Sequence, residues 1–102
     1  MQYVLSQYAD AQFIDIYLYG LKQFGFVQAE AYSQDLIDGF QTLTRHPEIG
    51  KRLPRKGYRE LRQIRWGSHL IVYRVLDDEI QIITLPHKAM EIYKQINMAI
   101  FQ

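Results

Sequence analysis

The chain has 102 residues, 48% of them hydrophobic and 23% charged, with a formal net charge of +1 and no cysteine. That length supports one core and one domain, the composition is that of a folded globular chain, and the missing cysteines exclude disulfides and thiolate-bound metal. No apolar run approaches the ~20 residues needed to span a bilayer and the start "MQYVLSQYAD" lacks the features of a signal peptide, so a cytoplasmic protein with no membrane partner is expected.

"QYVL" at 2–5 predicts a short strand, and Ser6 is placed to cap the helix after it, its hydroxyl accepting a free N–H of the first turn. Ala9, Phe13, Ile16, Tyr17, Gly20 and Phe24 recur at spacings of three and four, which predicts one buried stripe. Ile14, Leu18 and Leu21 form a second stripe beside it, making the helix apolar over more than half its circumference. Gly25 is the expected stop. A second helix is predicted from about Val27 to Arg45, burying Ala29, Tyr32, Leu36, Phe40 and Leu43. Gly39 inside it costs about 1 kcal/mol relative to alanine, which close packing against a neighbour would explain. The short link between the helices implies an antiparallel hairpin.

"HPEIGKRLPRKG" at 46–57 carries two prolines and two glycines and reads as a loop. Three strands are expected after it, Tyr58 to Ile64 or Trp66, His69 to Val75, and Glu79 to Leu85, joined by turns at 66–68 and 76–78. Alternation places Leu70 and Val72 on one side of the second of these and Ile71, Tyr73 and Val75 on the other. In the third, Ile80 and Ile82 oppose Ile83 and Leu85. Strands apolar on both sides must be covered on both sides. Beyond Pro86, Ala89, Tyr93, Ile96 and Ile100 have helical spacing and predict a short helix or docking tail. The order β-α-α-β-β-β plus a carboxy-terminal helix or tail is the α+β class: a helical hairpin on one face of a small, mostly antiparallel sheet. The opposite face, apolar and not claimed by the hairpin, is the expected place for a partner.

Charge is unevenly spread. Residues 1–44 carry one base and five acids, a net of −4, and residues 45–74 carry nine bases and two acids, a net of +7. A basic block of this kind attracts phosphates or acidic partners. His46, His69 and His87 have no metal-ligand spacing, and neither phosphate-binding glycine loops nor nucleophile motifs are present. One enzymatic chemistry has candidates, metal-free RNA cleavage. It needs a proton shuttle and cations to hold the charge growing on phosphorus. His69 or His87 would supply the first, Arg62, Arg65 and Arg74 the second, and Tyr93 a surface for stacking a base.

Over about residues 3–93 the chain resembles the ParE branch of the RelE/ParE superfamily, the toxins of type II toxin–antitoxin pairs. The resemblance is carried by Ser6, Ala9, Ile16 and Tyr19 with a shifted acid at Asp15, by "HPEIGK", and by "GYRELR", "GSHLIVYRV" and "LPHKAM". Taken together the last three are fairly specific. They set Gly57-Tyr58-Arg59, Gly67-Ser68-His69 with Tyr73-Arg74, and His87-Lys88 with Met90 in order.

The resemblance implies an α+β toxin without cofactor, held in check by a ParD-like antitoxin, a DNA-binding dimer whose tail wraps it in a hetero-oligomer. ParE-like toxins act on DNA gyrase, whereas RelE-like toxins share the fold and cut messenger RNA on the ribosome. Where the RelE-like enzymes carry a strand arginine this chain has Leu70, and where they carry the next it has Lys88, charged but without the bidentate fork. Tyr93 stands one residue early for the RelE-like tyrosine. Losing one donor specific to the transition state costs about 10²- to 10³-fold in rate, so binding and not catalysis is expected, with no direct nucleic-acid contact; the alternatives are a RelE-like ribosome-dependent endonuclease and an inactive module that only binds antitoxin. Antitoxin contacts are expected at Ile14, Leu18, Leu21, Arg59 and Arg62. Target contacts are expected at Arg65, His69, Arg74, His87, Lys88 and Tyr93.

Overall fold

The computed structural model describes residues 1–87 and 90–100. Its elements are β1 (Gln2–Leu5), α1 (Gln7–Phe24), α2 (Phe26–Arg45), β2 (Lys51–Arg52), β3 (Arg62–Trp66), β4 (His69–Leu76), β5 (Glu79–Thr84) and α3 (Ile92–Ile100). The strands form one sheet in the order β1-β5-β4-β3-β2. All neighbours are antiparallel except β1 and β5, which run parallel with Gln2 opposite Glu79 and Leu5 opposite Ile82. The α+β architecture expected from the residues is the one observed.

Ser6 caps α1 as expected, its Oγ accepting from the Ala9 amide at 3.0 Å while its hydroxyl donates to the Ile83 carbonyl at 2.7 Å. One turn later the Gln12 side-chain carbonyl accepts from the Leu85 amide and the Thr84 hydroxyl, so both ends of α1's first turns are tied to β5. Gly25 ends α1 and begins α2 at φ 89°, a conformation open to glycine and costly for other residues. Inside α2, Gly39 leaves room for Trp66. A β-carbon there would lie 2.8 Å from the indole ring, and the ring is fixed by its N–H donating to the Asp35 carbonyl at 2.8 Å. Close packing, the reason expected for this glycine, is what the structure contains.

The sheet separates two cores. On one face Ala9, Leu36, Phe40 and Leu43 of the hairpin pack on Ile71, Tyr73, Ile80 and Ile82. On the other, Val72 and Ile83 lie under Ile96 of α3, joined by Leu53 and Leu61 from the segment between β2 and β3. The second face, expected to await a partner, is therefore covered over Val72 and Ile83 by the chain's own last helix. Tyr8 donates to Gln95 and Tyr58 to Asn97 to hold that helix in place.

Other expectations change. Phe24, placed in the buried stripe, is 60% exposed, because the hairpin runs past the sheet and leaves its tip without a floor. Tyr58 to Leu61 are not strand; they turn through Tyr58 N–H to Arg55 and Leu61 N–H to Tyr58 and feed the second core instead. Two residues of the expected loop, Lys51 and Arg52, pair with β3 as a short edge strand. Leu85 joins the hairpin-side core with Ile80 and Ile82, because β5 ends at Thr84 and strand alternation stops there.

Candidate functional site

Three surfaces carry the expected site residues. The first is the outer flank and tip of the helical hairpin. Ile14 and Leu18, four residues apart on α1, are each about half exposed, and Tyr19, Phe24, Phe26 and Val27 continue the apolar surface around the tip, Val27 being 82% exposed. Leu21, expected in the same stripe, is only partly exposed. The Tyr19 and Phe24 rings meet edge to face. Unpartnered apolar surface on this scale marks a docking surface more often than a solvated one.

The second surface is at the far end of the sheet from the β4–β5 turn. Trp66 pairs with His69 across β3 and β4, and His69 bridges to His87 beyond β5. The two imidazoles stand edge to face with centroids 5.5 Å apart. Tyr32 reaches over from α2, its hydroxyl oxygen accepting from the Ser68 amide at 3.0 Å and lying 2.6 Å from His69 Nδ1. The contact orients the His69 ring, the direction of the bond following from which ring nitrogen carries the proton. Burial, and then the neighbouring His87, push the His69 pKa below its ordinary value, while burial foremost raises that of Tyr32. His69 is held as a neutral, oriented side chain.

The third surface is the edge strand β2 and the segment after it, with Lys51, Arg52, Arg55, Lys56 and Arg59 all exposed. The segment is braced from within. Arg52 donates to the Arg59 carbonyl at 2.9 Å and Arg59 Nε to the Pro54 carbonyl at 3.2 Å. The Arg55 guanidinium sits 3.7 Å from the centre of the Tyr93 ring, which in turn meets Tyr58 edge to face.

The expected target-binding residues do not converge. His69 and His87 meet at the sheet's end. Arg65 is exposed on β3 across from Leu70, on the α3 side of the sheet. Arg74 donates to Gln81 at 2.8 Å and lies 3.6 Å from Glu60. Tyr93 belongs to the basic segment through Arg55. Lys88 lies outside the described residues. The expected antitoxin residues also divide, with Ile14, Leu18 and Leu21 on the hairpin and Arg59 on the basic segment. Arg62 is partly buried and donates to the Gly50 and Glu48 carbonyls, a role in holding the approach to β2. Sequence reasoning missed Tyr32 as the group that orients His69. It is 37 positions away, and its place in the apolar stripe of α2 is the same as that of any core tyrosine. Among the described residues no set of three or more His, Cys, Asp or Glu is placed to hold a metal, and no helix is long and apolar enough to cross a membrane.

These features define a small α+β protein with an unpartnered apolar hairpin and a basic edge. Residues 3–92 match the family described as the ParE toxin of the type II toxin–antitoxin system parDE, and the chain belongs to that family. It is 33% identical to Toxin ParE1 of Caulobacter vibrioides over 90 residues, covering 86% of this chain and 90% of that protein. Toxin ParE1 of Mycobacterium tuberculosis is 30% identical over 98 residues, with 93% and 97% covered. A solved chain described as the chromosomal ParDE TA system from P. aeruginosa superimposes with a TM-score of 0.72 at 21% identity, over 85% of this chain and 95% of that one; at that identity the likeness speaks for the fold. The protein is the toxin component of a type II toxin–antitoxin system.

Proposed function

We propose that this toxin stops growth by binding DNA gyrase in the cytoplasm, and that a ParD-like antitoxin, itself a DNA-binding dimer, neutralises it by covering the helical hairpin. The observation that carries the binding reading is the separation of the groups that RNA cleavage must bring together. A cleaving site needs a base, an acid and cations within hydrogen-bond reach of one phosphate. Here His69 Nδ1 is engaged by Tyr32, Arg74 by Gln81 and Glu60, and Arg55 by Tyr93. Leu70 faces Arg65 where a second cation would be wanted. The antitoxin reading is supported by the exposed Ile14 and Leu18 with the apolar tip beyond them, a surface suited to the apolar face of a partner helix.

The test is a supercoiling assay with purified toxin and gyrase, run beside a cleavage assay on translating ribosomes. Loss of supercoiling together with accumulated cleaved DNA, only when gyrase is present, is the expected result. Cleaved transcripts with gyrase undisturbed at stoichiometric toxin would replace this reading with the enzymatic one.

A further inference from the structure

We propose that the β2 edge and the segment following it are a docking surface for the sugar–phosphate backbone of duplex DNA. This goes beyond gyrase binding and beyond the resemblance, which implies no direct nucleic-acid contact. Lys51, Arg52, Arg55, Lys56 and Arg59 are exposed within nine residues of chain. Two acids lie near in sequence, and one of them, Glu60, is engaged with Arg74 on β4, leaving Glu48 as the other. The positive charge of the segment is therefore largely unneutralised.

The arrangement is also built before any partner arrives. The Arg52 and Arg59 side chains donate to carbonyls of the same segment, and its backbone is closed by Leu53 N–H to Leu61 and Tyr58 N–H to Arg55. Each arginine bond uses one donor of a guanidinium that carries five, so both retain donors for phosphate oxygens. Cations held in place lose less freedom on binding than cations on a loose loop.

Two observations favour duplex DNA over the other polyanions. An acidic protein segment takes most of its affinity from apolar or aromatic anchors in pockets, and from Lys51 to Arg59 no large hydrophobic side chain is exposed, Ile49 two residues before being the nearest. Single-stranded RNA is held by stacking its bases on open aromatic faces. The Tyr93 ring is already covered by Arg55 and flanked by Tyr58. What remains is charge without stacking or anchoring, which is how proteins position themselves on a duplex backbone without reading its sequence.

The experiment is a fluorescence-anisotropy titration of the full-length toxin, without gyrase, against a short labelled duplex of arbitrary sequence. Log affinity is expected to fall with log salt at a slope of about −0.9 per phosphate engaged, so near −4 for four to five contacts. Lys51→Gln with Lys56→Gln removes two cations that make no internal bond, and is expected to reduce the slope by about 2 and weaken binding about tenfold or more near 0.1 M salt. The charge-keeping pair Lys51→Arg with Lys56→Arg is expected to bind like the parent, which guards against a folding artefact. No duplex binding at low salt overturns the proposal, as does an unchanged slope in the glutamine pair. So does tighter binding to labelled single-stranded RNA, or displacement of the duplex by poly-glutamate as readily as by unlabelled duplex. Gyrase is absent from the titration, so failure here with supercoiling still inhibited overturns this inference alone.

Discussion

Tyr32 and His69 join the helical hairpin to the sheet through one hydroxyl that accepts from the Ser68 amide and shares a hydrogen bond with His69 Nδ1. Removing it in Tyr32→Phe leaves the Ser68 amide and His69 Nδ1 without that partner, and unfolding by urea is expected to show a loss of about 1–3 kcal/mol. The same pair sets a pH dependence. His69 titrates below its ordinary 6.5 because folding buries it and places it beside His87. The unfolded chain therefore binds the proton more readily than the folded one, and stability falls as the pH drops below 6.5, levelling once the folded-state pKa is passed. The melting temperature is expected to decline across that window, and His69→Asn, which does not titrate, to flatten the decline. Gly39→Ala pits helix propensity, worth about 1 kcal/mol in alanine's favour, against a β-carbon 2.8 Å from the indole of Trp66. Overpacking of about 1–3 kcal/mol is expected to win, seen as a lower denaturation midpoint with altered tryptophan emission.

At the level of the elements, α3 is structural as well as exposed. Ile96 is fully buried against Val72, Ile83, Leu53 and Leu61, so Ile96→Ala is expected to cost about 2–5 kcal/mol. Deleting the chain after Tyr93 would remove Ile96 and uncover that core. Substitutions on the outer flank of α1 avoid the difficulty. Ile14→Glu with Leu18→Glu sits on exposed positions, so the melting temperature should be kept within the small effect usual for surface changes, while affinity for the antitoxin is expected to fall at least a hundredfold by calorimetry.

The elements also mark how far the residues alone could be read. Both hairpin helices, the Ser6 cap, the Gly25 break and the β4–β5 pair followed from periodicity and turn chemistry. Tyr58 and Leu61 misled because burial under α3 gives a turn the same apolar spacing as a strand. Phe24 misled because a periodic stripe does not say where the sheet beneath it ends. The convergence of Tyr32, Ser68, His69 and His87, and of Arg55 with Tyr93, depends on strand order and helix placement, and no local pattern encodes either.

Across the whole molecule, the net charge of +1 conceals an acidic hairpin and a basic edge strand with its following segment, so the two surfaces respond differently to salt. Antitoxin capture on the apolar flank is expected to change little with ionic strength, and duplex binding at the basic edge to weaken steeply. The parallel pairing of β1 with β5 has another consequence. Gln2 finds its neighbour only at Glu79, and the Ser6 amide and hydroxyl bond to carbonyls at Ile82 and Ile83. During synthesis the first strand waits for its neighbour, and the hairpin for the floor beneath it, until β5 at Glu79–Thr84 has been made. A ribosome that stalls before β5 releases a fragment in which β1 has no strand to pair with and the hairpin lacks Ile80 and Ile82 to pack on.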